Sequence, residues 1–272
     1  MRQWRSLPTE LDLARVGGMA SNRQRITTML KGIETGDPAS VEVVNEARYV
    51  QHNPRTKEGS VGLAELFKQL SRTSPQVRVM RAFEDGDFVF AHVEYDFAEH
   101  VTGFEVFRFE DGFAVEHWDN LQQLSHGPNP SGRSMNDGPT EIEDLERTEA
   151  NRAAITEFVN VVLIERDLGS LDQSVAADLA EHDAIRGDGA AQLRDALAAL
   201  AADGKHRLRY DTIHRILAEG NFVLVAAEGA DGGAHSAIYD LFRLSDGLIV
   251  EHWSSIEAIP QRELWNNNNG KF

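Results

Sequence analysis

His117 and Asp119 stand two residues apart in the alternating run Phe113–Asn120 (FAVEHWDN). A strand repeats its face every second residue, so both side chains face one way, together with Val115. A carboxylate beside apolar walls is pushed up in pKa and becomes a usable base near neutrality. The imidazole next to it can orient it or shuttle its proton. Other stretches show the same mixture of large apolar and ionisable groups. Glu105, Phe107 and Phe109 share a face of 103–110, and Phe88, Phe90, His92 and Glu94 share a face of 87–96. Such faces are costly in a closed core, where an unpaired charge must be neutralised. They suit an apolar pocket with a few polar groups. The plainer alternative is a satisfied His117–Asp119 pair in the wall of a non-catalytic binder.

Further candidates surround this pair. His52 lies in the Gln51-His52-Asn53-Pro54 turn, where it can contact an oxyanion or hydroxyl at a cavity mouth, or cap its own turn. Asn53 beside it can donate hydrogen bonds. His92 can polarise a carbonyl, and Glu105 can orient a histidine or serve as an alternative base. The expected catalytic set is therefore Asp119, His117, His52, His92 and Glu105. Tyr49, Asn53, Phe88, Phe90, Glu94 and Phe107 are the expected substrate-binding wall. Trp118 and Glu116 point to the opposite face, as do Trp253 and Glu251. Arg108 and Arg243 share that face, within reach of Glu116 and Glu251.

Other chemistries lack their residues. With no cysteine there is no disulfide, thiolate metal site or cysteine nucleophile. No Gly-x-Ser-x-Gly elbow, Walker loop, dinucleotide fingerprint or His-Glu-x-x-His is present. No tight ligand spacing stands out among the histidines, so neither metal nor cofactor is expected. The net charge is −17, which repels phosphate backbones and anionic lipid; nucleic acid and membrane are poor partners. No stretch approaches a membrane span, and no apolar signal follows Met1. The expectation is a cytoplasmic protein acting on a small molecule.

The elements that position these groups occur twice. Arg81–Phe90 (RAFEDGDFVF) recurs as Arg215–Leu224 (RILAEGNFVL). Phe107-Arg108, Asp111-Gly112 and Glu116-His117-Trp118 recur as Phe242-Arg243, Asp246-Gly247 and Glu251-His252-Trp253. His52, Gly59 and Leu63 recur as His182, Gly189 and Leu193. Two copies of about a hundred residues are tandem domains rather than a solenoid. The expected division is an extension over 1–20, a first domain over 21–124, a linker over 125–146 rich in Gly and Pro from Ser125 to Thr140, and a second domain over 147–272. In copy one, Ser21 caps a helix with Ile26, Met29, Leu30 and Ile33 on one face. A short amphipathic piece covers 41–50, and a helix opens at Ser60. Strands follow at 77–83, 87–96, 102–110 and 113–120. In copy two, helices lie near 149–166 and 190–201, and strands near 206–217, 221–228, 235–244 and 247–255. Helices followed by an antiparallel meander make an α+β fold. Each curved sheet wraps around its helices as a cone.

Tyr49–Pro54 (YVQHNP), Phe88–His92, Phe104–Gly112 and Val115–Asp119 resemble the SnoaL-like proteins. These are polyketide-cyclase-like members of the nuclear-transport-factor-2-like superfamily. Copy two carries the same resemblance in Tyr239–Arg243, Asp246-Gly247 and Val250–Trp253, and ends in an Asn-rich tail. The resemblance implies two tandem α+β barrels with a cofactor-free site inside the cone and the family's acid/base Asp at Asp119. It implies no one reaction, because this superfamily hosts cyclases, isomerases, dehydratases, hydrolases and binding modules. The expected activity is cofactor-independent acid/base chemistry on a small apolar carbonyl- or hydroxyl-bearing molecule, as a lyase or isomerase. A non-catalytic binding module is the alternative. The cones are expected to be unequal. Ser254 stands where copy one has Asp119 and Ala226 where it has His92, while His182, Asp183, Asp240 and His252 remain. The copies are expected to pair within the chain through the tryptophan faces, and two chains to associate further.

Overall fold

The computed structural model describes residues 20–97 and 99–272. The extension expected over 1–20 lies outside the described residues except for Ala20. The first helix, α1 (Asn22–Lys31), starts as its sequence dictates. The Ser21 side chain accepts from the Gln24 amide, and the Gln24 side chain accepts from the Ser21 amide. Ile26, Met29 and Leu30 form its buried stripe. The piece expected over 41–50 is irregular apart from a 3₁₀ turn at Pro38–Val41 and the two-residue strand β1 (Val50–Gln51). The helix α2 (Gly59–Leu70) presents Leu63 and Phe67 to the core.

Four long strands follow: β2 (Gln76–Asp85), β3 (Phe88–Asp96), β4 (His100–Glu110) and β5 (Phe113–Gln123). The β4–β5 hairpin turns on Asp111-Gly112, both at positive φ (51° and 80°), as a two-residue hairpin of this type requires. The sheet order is β1-β5-β4-β3-β2, with β1 parallel to β5. Copy two repeats it: α3 (Thr148–Phe158) widens into a π-helical turn at Val159–Ile164, then α4 (Leu171–Ser174), β6 (Val175–Glu181) and α5 (Ala190–Ala198). Strands β7 (Leu208–Glu219), β8 (Phe222–Asp231), β9 (Ala234–Ser245) and β10 (Leu248–Ala258) complete a sheet ordered β6-β10-β9-β8-β7. Both copies are α+β cones, each with helices packed against one sheet face. No helix among the described residues is long and apolar enough to cross a membrane.

The other faces of the two sheets pack together. Phe83, Phe90, Phe104, Val106 and Trp118 meet Phe222, Leu224, Tyr239, Leu241 and Trp253 in a shared core. Both indoles are 1% exposed. Arg215 lies over Trp118 and Arg81 over Trp253, at 3.6 and 4.3 Å from the ring centroids. Asn120 and Ser255 exchange hydrogen bonds across the seam: Asn120 Nδ2 donates to Ser255 O (2.6 Å) and Ser255 Oγ to Asn120 O (2.9 Å).

Residues 125–146 read as a linker by composition, yet in the structure they form an arm held by specific contacts. His182 Nδ1 donates to Ser134 O (2.9 Å), Trp253 Nε1 to Asp137 O (3.0 Å) and Asn129 Nδ2 to Glu181 O (2.7 Å). The C-terminal tail does the reverse and crosses from copy two onto copy one, with Asn267 Nδ2 donating to Asn53 O (2.7 Å) and Thr56 O (3.0 Å). Polar residues replace a hydrophobic pattern here because the arms bind backbone groups. Gly138 is the tightest point. Its φ is +96°, and a Cβ there would meet Trp253 Cζ2 and Glu251 Oε1, each at 2.7 Å. Gly138→Ala is expected to destabilise the protein by about 1–3 kcal/mol through strain and crowding. A thermal melt unchanged within a degree would show that the arm does not depend on this approach.

Candidate functional site

Strand register decides which polar residues meet. In antiparallel pairs, opposed residues share a face. Glu105 is opposite Ala91 and Asp119, and Phe107 is opposite His117. These residues therefore face the helices of copy one. They close the head of a cavity of about 330 Å³ whose body is apolar, with Leu30, Leu63, Phe67 and Leu70 from the helices. Of the residues expected from sequence, Tyr49, Asn53, Glu105, Phe107, His117 and Asp119 line this cavity together.

The others do not reach it. His92 is opposite Phe104, one residue out of phase with Glu105, and so lies on the seam face. There its ring meets Arg81 Nη1 (2.9 Å) and Thr102 Oγ1 (3.3 Å). Phe88 and Phe90 pack into the seam core. Glu94 is engaged by His100 Nε2 (2.8 Å) and Asn136 Nδ2 (2.7 Å). His52 stacks on Trp118 at 4.8 Å, with Nε2 3.0 Å from Glu116 Oε1 and Nδ1 3.2 Å from Gly270 O. The ladder keeps Glu105 with Phe107 and His117 with Asp119, but a β-bulge skips Val115 and puts Ala114 in the cone core, and the face of 87–96 bearing His92 is the opposite of the cavity face. His52 and His92 are thus corrected from cavity donors to seam residues, and Phe88, Phe90 and Glu94 from cavity wall to seam. Arg108 Nε bonds Glu116 (2.8 Å) and Arg243 Nε bonds Glu251 (2.7 Å) on that face, as their positions suggested.

Hydrogen bonding at the cavity head leaves one shared proton. Gln51 Oε1 accepts from the Asn53 amide (2.8 Å), which identifies it as the oxygen. It lies 2.9 Å from His117 Nδ1, so Nδ1 carries hydrogen and donates. His117 Nε2 lies 2.5 Å from Glu105 Oε2, and the other Glu105 oxygen accepts from Tyr95 O–H (2.7 Å). A single proton between Nε2 and Oε2 gives either imidazolium and carboxylate, or neutral imidazole and carboxylic acid. Burial raises the Glu105 pKa and Asp119 adds to the rise, while His117 opposes it. These opposed influences bring the two forms of the pair closer in energy.

Asp119 completes the head. Its Oδ2 accepts from Asn53 Nδ2, and its Oδ1 lies 3.3 Å from Lys271 Nζ. Tyr49 closes the wall with its ring parallel to His117 at 6.5 Å. The Tyr49 hydroxyl is buried and has no hydrogen-bond partner among the described residues. Burial, with Glu105 and Asp119 nearby, raises its pKa well above the ordinary value, so it remains a donor. Glu105, His117 and Asp119 bring ligand atoms within 4.8 Å of one another, a set able to hold a metal ion. A metal would have to displace the Glu105–His117 proton and compete with the Lys271 ammonium for Asp119. Sequence reading missed Gln51, Tyr95 and Lys271. Gln51 had a signal in the recurring pair Gln51-His52 and Glu181-His182. Tyr95 needed the strand register, and Lys271 had no signal in any spacing.

Copy two holds a charged version of this head. Glu181 replaces Gln51 and flanks His252 Nδ1 at 3.0 Å, while Asp240 flanks Nε2 at 3.0 Å. Burial alone would lower the His252 pKa, but the two carboxylates raise it to about 9. Glu181 would be raised by burial, but Arg186 and His252 bring it down to about 2. Arg186 fills the position of Thr56 and lies 3.3 Å from Glu181 and 3.4 Å from Asp183. Here the proton is fixed on an imidazolium. The folded pKa of His252 lies above its ordinary 6.5, so this stabilisation is complete below pH 6.5 and is lost as pH rises through about 9. Melting temperature is expected to fall across that window. In Glu181→Gln, which restores the copy-one glutamine, the folded pKa of His252 drops, so the fall should be smaller and end at lower pH. Identical profiles for the two proteins would refute the assignment.

Comparison with known proteins gives one family match and several similar solved structures. Residues 155–252 match the family model of the SnoaL-like domain. A search of curated proteins finds no match. Solved structures similar to single copies include TsrD from Streptomyces laurentii, at 20% identity, covering 36% of this chain and 86% of that one, TM-score 0.33. Another is IdmH from Streptomyces antibioticus, a candidate polyketide cyclase, at 17% identity, covering 36% and 89%, TM-score 0.32. A third is an LEH-like epoxide hydrolase from M. tuberculosis, at 16% identity, covering 37% and 81%, TM-score 0.32. Residues 155–252 of copy two thus match the SnoaL-like domain, and copy one repeats the sheet order and the histidine–carboxylate head of copy two.

Proposed function

We propose that the first cone is an acid/base catalytic site for a small, largely apolar molecule bearing a carbonyl or hydroxyl oxygen. The observation that carries this reading is the short Glu105–His117 hydrogen bond beside Asp119, at the head of an apolar cavity. Asp119 removes a proton next to the carbonyl, and the electron pair moves onto the carbonyl oxygen. The unpartnered Tyr49 hydroxyl donates to that developing oxyanion. The Glu105–His117 pair then supplies its proton to a second position or to a leaving hydroxyl, and is reloaded from Asp119. Ring closure of aldol type, its reverse, a double-bond shift and a dehydration all use these two moves. No step calls on a cofactor.

One feature favours a second reading, in which the cavity binds without turnover. Both Asp119 oxygens already have donors, Asn53 and Lys271. Deuterium exchange separates the two readings. Apolar cyclic ketones are incubated with the protein in D2O, and loss of the proton next to the carbonyl is followed by NMR. Exchange is expected with the parent protein. Asp119→Asn should slow it by roughly 10²-fold or more. Tyr49→Phe should slow it by about 10- to 10³-fold through loss of the oxyanion donor. Asp240→Asn, assayed where it is folded, should stay within a few-fold. Ketone binding without exchange would establish the binding module. Normal exchange in Asp119→Asn with none in Asp240→Asn would move the site to copy two.

A further inference from the structure

Lys271 belongs to the tail of copy two but ends inside copy one. It is 3% exposed, and its ammonium bridges Asp119 Oδ1 (3.3 Å) and Glu257 Oε2 (2.6 Å). The preceding residues fix it there. Asn266 N donates to Pro54 O (2.7 Å), Asn269 Nδ2 donates to Gln51 O (3.0 Å), and Gly270 O lies 3.2 Å from His52 Nδ1. Together with the Asn267 bonds, these contacts clasp the 51–56 loop, which carries Gln51 and Asn53 into the cavity head.

The internal repeat supplies a second, independent observation. The arm from copy one docks on copy two in a comparable way, with Ser134 O on His182 as Gly270 O is on His52. Met135 follows Ser134 as Lys271 follows Gly270, and both are buried. Copy two has Ser254 in place of Asp119. The buried ammonium and the buried carboxylate therefore occur together in one cone and are both replaced in the other. A tail that only fastened the copies together would not need a charge at this position. Leaving either partner alone in the interior would be costly.

We propose that Lys271 is a positioning residue for Asp119, so that the site of the first cone is assembled only when the tail of copy two is docked. Lys271 holds Asp119 Oδ1 and leaves Oδ2 to Asn53. It also balances the cluster formed by Asp119, Glu105 and Glu257 facing His117. Burial alone would lower the Lys271 pKa, but Asp119 and Glu257 more than offset this and raise it, which keeps the ammonium charged. The catalytic meaning of this proposal rests on the reading of Asp119 given above, but its test does not.

The Asn53 side-chain amide reports on Asp119 directly, because it donates to Oδ2. Its NMR signal is compared in the parent protein, Lys271→Met and Lys271→Arg at equal pH and below the melting temperature of each. Lys271→Met is expected to shift the signal towards that of a free amide, and Lys271→Arg to keep most of the parent shift. An unchanged signal in folded Lys271→Met would overturn the proposal. If Lys271→Met does not fold, Lys271→Ala is measured with butylammonium and with butanol. Recovery with butylammonium alone supports the proposal. Equal recovery with butanol, or recovery with neither, would assign Lys271 a purely structural role. Because no ketone is present, a negative result here is separable from a failure of the deuterium-exchange experiment.

Discussion

Each sheet of this protein is covered on one face by its own helices and on the other by its twin, so Glu105, His117, Asp119, Asp240, Glu251 and His252 on the central strands are buried. Such buried ionisable groups must find partners within the protein. The seam face meets this requirement with fixed pairs: Arg108 with Glu116, Arg243 with Glu251, and His52 and His182 on those same glutamates. The cone face of copy one meets it differently. Its groups join Glu105 and His117 in a short hydrogen bond, hold Asp119 with a borrowed lysine, and leave the Tyr49 hydroxyl without a partner among the described residues. Groups that are buried but incompletely satisfied are what a ligand can complete.

The two cones differ by a small change in what flanks the strand histidine. Gln51 is neutral and accepts from His117 Nδ1, so only Glu105 competes for the remaining proton. Glu181 is anionic, and with Asp240 it encloses His252 between two carboxylates; Arg186 then pairs with Glu181 and Asp183. A tyrosine donates to the strand carboxylate in both, but Tyr95 comes from β3 and Tyr210 from β7. The requirement that recurs is a donor to a buried carboxylate, and it is met from different strands. Copy two is organised as a buried ion cluster, and copy one as a histidine–carboxylate head beside an apolar cavity.

Tandem arrangement gives each cone a segment it could not make alone. The arm leaving β5 lies on copy two and the tail leaving β10 lies on copy one, so each cone is finished by the other copy's chain. Covalent linkage makes the two arms different in sequence, which two identical subunits could not do. That difference places a lysine beside Asp119 in one cone and a methionine in the corresponding segment of the other.

The sequence by itself determined the elements and their repetition. Ser21 with Gln24 starts α1, Asp111-Gly112 and Asp246-Gly247 turn their hairpins, and strand alternation places Glu105 with Phe107, and His117 with Asp119. These are local effects, set by capping, positive φ and a two-residue period, and they can be read from a few neighbouring residues. Alternation leaves open which of a strand's two faces looks inward, because both faces here are apolar enough to be buried. Tertiary structure decided that through register: Ala91, not His92, stands opposite Glu105. It likewise turned His52 to the seam and converted a polar, glycine-rich stretch from linker into docked arm. Lys271 is the extreme case. It lies 152 residues from Asp119 in the chain, and only the folding of copy two brings the charges together.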